Sequence, residues 1–478
     1  MLFNSVQFLT FLPVVLTAYH LLSHKAQNRF LLAASCFFYA MWDWRFLAPL
    51  LISTTIDYCV AVRLEDLHRC NTPTSRAHMK RYVALSVVTN LSLLGFFKYF
   101  NFFVNSAQGL LSMFGFTRDL WALEVILPVG ISFYTFQALS YTIDVYRGRL
   151  HATRSFPDFL LCVIYFPHLV AGPIQRAHSL LAQVTHPRQV TAAGIVAGLH
   201  LIIWGYFKKV FIADNLSPLV QRVFGDPSPD GYLVLVGVYA FAFQIYCDFS
   251  GYTDIARGVA KLMGFDFMLN FNLPYLATNP REFWNRWHIS LSTWLRDYLY
   301  VPLGGNRYGE WMTYRNLMLT MVIGGFWHGA AWTFIIWGFY HGLLLVLHRY
   351  FQPVLERIFA ARTSVGAALS RGIALVLFFQ LVCYGWLIFR AESFSQLTNM
   401  TRALLRPGWD VDPALFWRVT WTVAPLMAVQ LIQAWSKRLD FLDFPWITPE
   451  WRSACYAVLL YLLLFRGGQP ESFIYFQF

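Results

Sequence analysis

The sequence predicts an all-α, polytopic membrane protein of roughly ten to twelve transmembrane or re-entrant helices. Three observations predict it. Of 478 residues, 57% are hydrophobic and only 13% charged, where a soluble domain carries about 25% charged residues. The apolar residues come in successive runs near the length that crosses a bilayer, about 20 residues each. The basic residues gather in a few of the connections between runs, as cytoplasmic loops require. No polar stretch is long enough for a second domain, so residues 1–478 read as one integral unit.

Lys and Arg total 37 against 25 acids, a net charge of +12. No RNA- or DNA-binding pattern accompanies this charge, so it reads as basic loops against an anionic leaflet, not as a nucleic-acid surface. The seven cysteines never fall in a C-x-x-C spacing. They lie mostly in apolar runs, as inert thiols do.

Residues 1–22 lack a basic n-region and a small-residue cleavage site, and read as a retained first helix. Runs 6–22, 29–41 and 47–62 follow, with Trp42 and Trp44 at headgroup level. The loop 63–81 carries Arg63, Arg69, Arg76, Lys80 and Arg81, the strongest cytoplasmic signal in the chain. Counting back three helices puts the N-terminus outside. Runs 82–100 and 102–116 come next, the second short enough to lie in the interface. Pro128 starts a new helix after any preceding one. His168, beside the Gly172-Pro173 break, reads as structural.

The run 232–263 holds Asp248 and Asp254 with Gly251 between them. That pattern suits either a helix broken where it lines a wet cavity or simple polar packing between helices. Residues 281–300, rich in Trp and Arg, form an amphipathic stretch that alone could lie on a membrane surface. Its arginines suit phosphate or interface anchoring better than catalysis. Arg349, Arg357, Arg362 and Arg371 surround another cytoplasmic loop. The segment 390–418 then falls outside, and so does the C-terminal tail, 469–478.

Chemistry concentrates in 281–341, the predicted catalytic core. His288 and His328 sit in polar-aromatic islands within membrane sequence, where ionisable groups are expensive and functional by default. Imidazole titrates near neutrality and is the commonest general base. It can take a proton from a hydroxyl that attacks an activated acyl group. Gly324, Gly325 and Gly329 remove bulk and allow close approach. His341 lies thirteen residues after His328, a rotation of about 220° on one straight helix. The two can share a site only if that helix bends. There is no Walker A loop, G-x-S-x-G elbow or H-E-x-x-H. No ligand spacing argues for a metal on His288, His328 and Asp254.

At these residues the sequence resembles the membrane-bound O-acyltransferase family, and within it the alginate O-acetyltransferase group. The resemblance covers nearly the whole chain. It rests on Met1-Leu2-Phe3-Asn4-Ser5, Leu127-Pro128-Val129-Gly130-Ile131-Ser132-Phe133-Tyr134, Tyr165-Phe166-Pro167-His168 with Ala171-Gly172-Pro173-Ile174, Asp248-Phe249-Ser250-Gly251-Tyr252, Arg286-Trp287-His288-Ile289-Ser290-Leu291-Ser292 and Trp327-His328-Gly329. It implies a helical bundle around a membrane-spanning funnel or tunnel, with His328 as the family's deep histidine and His288 as its second polar position. It also implies a cytoplasmic acyl donor, acetyl-CoA, with no resident cofactor. The acetyl group goes to an exported polysaccharide such as alginate, in a bacterial inner membrane.

The tail Phe473-Ile474-Tyr475-Phe476 is similar to a motif of bacterial acyl-export systems. The resemblance implies that Tyr475 carries the acyl group on to a periplasmic SGNH-type, serine-dependent transferase. A phenol, with pKa about 10, is a better leaving group than a sugar hydroxyl, so such a transfer runs downhill. A plain aromatic anchor at the interface is the other reading of the tail. The competing functions are a polysaccharide or lipid-carrier transporter, which would show inverted repeats and paired broken helices, a non-catalytic scaffold for an acetylation complex, and D-alanyl transfer to teichoic acid.

Overall fold

A computed structural model describes residues 1–70, 72–115, 125–169, 172–358, 363–406, 408–439 and 447–476. Ala171, Arg362 and the last two tail residues, Gln477 and Phe478, lie outside the described residues. Among those described, every regular element is helical. In chain order the helices are α1 (Val6–His20), α2 (His24–Asp43), α3 (Leu47–Cys70), α4 (Pro73–Leu94), α5 (Phe100–Met113), α6 (Ile131–Tyr146), α7 (Phe156–Ile164), α8 (Phe166–Leu169), α9 (Ala177–Thr185), α10 (Ala192–Tyr206), α11 (Asp214–Gly225), α12 (Gly231–Leu262), α13 (Pro280–Arg286), α14 (Ile289–Leu295), α15 (Glu310–His328), α16 (Trp332–Ile358), α17 (Ser364–Arg390), α18 (Phe394–Leu405), α19 (Pro413–Ser436) and α20 (Pro449–Arg466). Seven helical segments among the described residues are long and apolar enough to cross a membrane. Shorter apolar helices such as α1 accompany them. The all-α, multi-pass reading therefore stands.

The chain falls into two compact units, Met1–Ile202 with Ile255–Met268, and Ile203–Asp254 with Leu269–Phe478. In the first unit, α3, α4 and α6 pack around the buried carboxylate of Asp57. It accepts from Ser86 Oγ, from Asn90 Nδ2 at 2.9 Å and from Thr142 Oγ1 at 3.3 Å. Ser53 Oγ donates to Asn90 Oδ1 at 2.7 Å, which fixes the amide's orientation. A carboxylate in an apolar bundle persists only where its oxygens are satisfied in this way. At Gly130 the chain turns into α6 with φ +76°, and a Cβ there would lie 2.5 Å from Leu169 O. Both facts require glycine.

Several expectations are corrected here. The stretch after Lys98 is not a separate interfacial helix. α4 continues through a π-helical turn, Gly95–Tyr99, into α5, a run of 41 residues. The segment after Arg390, read in the sequence as a loop, contains α18, which Ser393 caps through Gln396 N. The 232–263 run is not broken at its aspartates. α12 is continuous over 32 residues, since lysines on the neighbouring turn neutralise both carboxylates. Lys208 Nζ lies 2.6 Å from Asp254 Oδ2, and Lys209 Nζ lies 2.7 Å from Asp248 Oδ1. Gly251 permits this approach, as a Cβ there would come within 2.7 Å of Gly205 O.

In the second unit α15 and α16 form an antiparallel hairpin. Gly325 sits against Phe334 O and Gly338, and Gly338 against Met321 O, so neither position has room for a Cβ. Small residues that bring backbones together are the usual source of helix association in lipid. Gly325→Val is expected to cost about 1–3 kcal/mol through overpacking. Thermal unfolding of the detergent-purified protein checks this, and an unchanged midpoint would count against the contact.

Candidate active site

The site is built from α13–α16 and the C-terminal segment, all within the second unit. Pro280 occupies the first turn of α13, and Asn279 Oδ1 accepts from Glu282 N at 2.9 Å, a standard N-cap. The helix stops after Arg286. Residues 281–300 are therefore not one surface helix but two short helices separated by Trp287 and His288, both fully buried. His288 has φ +43°, a conformation rare outside glycine and costing of order 1–3 kcal/mol.

Asn270 is what holds it. Asn270 O accepts from Ile289 N at 2.9 Å. Asn270 Oδ1 accepts from Ser290 N at 3.2 Å and Ser290 Oγ at 2.9 Å, and lies 3.1 Å from His288 Nδ1. A backbone N–H can only donate, so the atom it meets is the amide oxygen. That oxygen can only accept from Nδ1–H, which leaves the ring lone pair on Nε2. Asn270→Leu is expected to strand Ser290 N–H in a buried position, at a cost of about 1–3 kcal/mol. Denaturation of purified protein measures it; no loss would refute the bracing role.

His328 is the last residue of α15, and the chain leaves the helix at Gly329. A side chain at Gly329 would enter the Phe334 ring. The one straight helix assumed for His328 and His341 therefore does not exist, because α15 ends and α16 begins between them. Trp337 stands between the two rings, 5.0 Å from His328 and 4.7 Å from His341. His341 instead packs flat against Phe283, 6.0 Å away, and under Gly385.

Three sequence-predicted residues are brought together. The His288 and His328 rings are 6.5 Å apart between centroids, and the Tyr475 ring lies 5.7 Å from His328. Phe249 bridges them, 4.7 Å from His288 and 4.6 Å from Tyr475. Beside His328 is a cavity of about 90 Å³, walled by Trp284, Leu291, Leu295, Met321, Gly324 and Trp337. The arrangement offers imidazole nitrogens, a phenol and a small apolar space in a water-poor setting. That suits proton transfer coupled to movement of a short acyl group.

Two arginines of this stretch are ion-paired: Arg286 with Glu282 at 2.8 Å and Arg296 with Asp297 at 2.8 Å. Asp254 pairs with Lys208, Nζ to Oδ2 at 2.6 Å. His168 belongs to the first unit, buried against Phe267 at 5.7 Å. Sequence reasoning missed Asn270, because an asparagine eighteen residues upstream carries no local signal. It also missed the pairing of Lys209 with Asp248. The signal there was present: opposite charges in two apolar runs have to find each other.

The buried histidine pair lies within a bundle of membrane-length helices, and residues 31–387 match the model of the membrane-bound O-acyltransferase family. The chain belongs to that family, and is a multi-pass membrane O-acyltransferase. It is 43% identical over 432 residues to the "Probable alginate O-acetylase AlgI" of Azotobacter vinelandii, covering 90% of this chain and 81% of that one. It is 39% identical to the protein of the same description in Pseudomonas putida, over the full length of both. The peptidoglycan O-acetyltransferase of Helicobacter pylori is 33% identical, over 85% of this chain and 80% of its own.

Proposed function

We propose that this protein moves acetyl groups from acetyl-CoA on the cytoplasmic side across a bacterial inner membrane, for O-acetylation of an exported polysaccharide. The observation that carries the proposal is the placement of the Tyr475 ring 5.7 Å from His328, whose imidazole also lines a cavity of about 90 Å³. That space suits a two-carbon acyl group and not a long chain. His328 accepts the Tyr475 phenol proton as the oxygen attacks the thioester carbonyl. The C–O bond forms, the C–S bond breaks, and the leaving thiolate recovers the proton. His288, braced by Asn270, presents its Nε2 lone pair nearby as a second proton acceptor. The acetyl-tyrosine then passes its load to the serine of a periplasmic SGNH-type transferase, and from there to the polymer.

Both termini are extracytoplasmic in this reading, and the basic segments 63–81 and 349–371 face the cytoplasm. The names of the relatives support acetyl as the acyl group and a glycan as the acceptor; alginate is the first acceptor to try. Incubating the nanodisc-embedded protein with isotopically labelled acetyl-CoA, then mapping peptides by mass spectrometry, tests it. Label is expected on Tyr475. Label only on another residue, or none with active protein, would overturn the relay.

A further inference from the structure

The segment after α20 does not trail away. It lies along the π-helical turn Phe207–Ala213 and the start of α11, tied at successive points. Asn215 Nδ2 donates to Arg466 O at 2.8 Å, and Gly468 N donates to Val210 O at 3.0 Å. Side chains at Gly467 or Gly468 would strike Val210 or the Asp214 backbone, so the segment lies flush. Further on, Gln221 Nε2 donates to Glu471 Oε1 at 3.1 Å.

Two charged groups then take over, both almost fully buried. Lys209 Nζ lies 2.7 Å from Asp214 Oδ1 and 2.7 Å from Asp248 Oδ1. Its third proton goes to the tail, to Glu471 O at 3.0 Å. Asp248 in turn uses its other oxygen, Oδ2, to accept from Ile474 N at 2.7 Å. Charge-assisted bonds to backbone are roughly twice as strong as neutral ones. These two flank the last turn before Tyr475, and Phe473 is buried between them against Tyr252 at 4.6 Å. A phenol one residue beyond a fixed N–H has little freedom left to choose its direction.

We propose that Lys209 and Asp248 form a buried clamp for the C-terminal segment and are positioning residues for Tyr475. The proposal rests on the Tyr475 relay for its chemical consequence, though not for the clamp itself. Asp248 grips the Ile474 amide, Lys209 grips the Glu471 carbonyl, and their mutual ion pair holds the two grips in one register. Asp214 is the second counter-ion that keeps Lys209 in place. A rigid loading position follows: the phenol meets the donor carbonyl at His328 without a search.

The test uses the full chain, purified in nanodiscs, as Asp248→Ala. This variant removes the Ile474 acceptor but leaves Lys209 paired with Asp214, so no charge is stranded. Hydrogen–deuterium exchange of the C-terminal peptide containing Ile474 reads the clamp directly. Exchange is expected to rise about 10-fold or more, and acetyl transfer to fall about 10-fold or more, since a 1 Å misplacement suffices for such losses. The fall is expected in turnover, with the KM for acetyl-CoA unchanged. Asp248→Asn, whose carbonyl still accepts, is expected to recover part of both. Unchanged exchange in Asp248→Ala would overturn the clamp. Raised exchange with normal turnover would overturn the positioning role. Tyr475→Phe separates the two ideas: if it acetylates normally while its tail stays protected, the relay fails and the clamp remains.

Discussion

Replacing His328 by alanine is expected to bring polymer acetylation down by about 10²- to 10⁴-fold, the range a positioned general base supplies. The residue ends α15 within an aromatic box of Trp327, Trp337, Phe389 and Tyr475, at 5.1, 5.0, 5.5 and 5.7 Å. Truncation leaves a void there, and buried large-to-small changes of this kind cost about 2–5 kcal/mol. His328→Gln keeps most of the volume and gives up the titrating ring, so it separates chemistry from packing. The measurement is acetate released from isolated polymer, normalised to membrane-inserted protein and its thermal midpoint. Both variants folded and silent is the expected result. Normal acetylation by either would remove His328 from the reaction and return the transporter and scaffold readings to contention.

Tyr475→Phe is the sharper experiment, because it deletes one oxygen and nothing else. The ring contacts with Phe249 at 4.6 Å and Phe473 at 5.5 Å are available to phenylalanine unchanged. The clamp acts on backbone groups and is also untouched. An aromatic anchor would therefore lose nothing. A relay loses its nucleophile, and polymer acetylation is expected to drop to background, with hydrogen exchange of the tail as in the native protein. Donor hydrolysis in the purified protein is expected to fall with it. Full acetylation at normal expression would end the relay.

How much of this was legible beforehand differs from residue to residue. His328 and His288 stood out because an imidazole in membrane sequence is costly, and nothing nearby in the chain explained either one. Tyr475 stood out only through resemblance, as one aromatic among many near a helix end. His341 shared the histidine signal, yet Trp337 separates it from His328. Which histidines share a space depends on where the helix stops. At that stop the Phe334 ring leaves no room for a side chain on Gly329, a contact invisible locally.

The sequence by itself determined the solvent, the helical class and the two histidines. Long apolar runs must satisfy their backbone internally, and in lipid the helix is the way to do so without an edge. Composition alone carries that constraint. The tertiary structure decided everything that depends on distant partners. It kept α12 whole, because Lys208 and Lys209 lie opposite Asp254 and Asp248. It turned 281–300 into two short helices, because Asn270 holds His288 at φ +43°. It laid the tail against Lys209 and Asp248, more than two hundred residues upstream in the chain. Burial makes such pairings compulsory, since an unpaired charge or amide in the bundle costs several kcal/mol. The sequence shows that partners are needed, and only the fold chooses which.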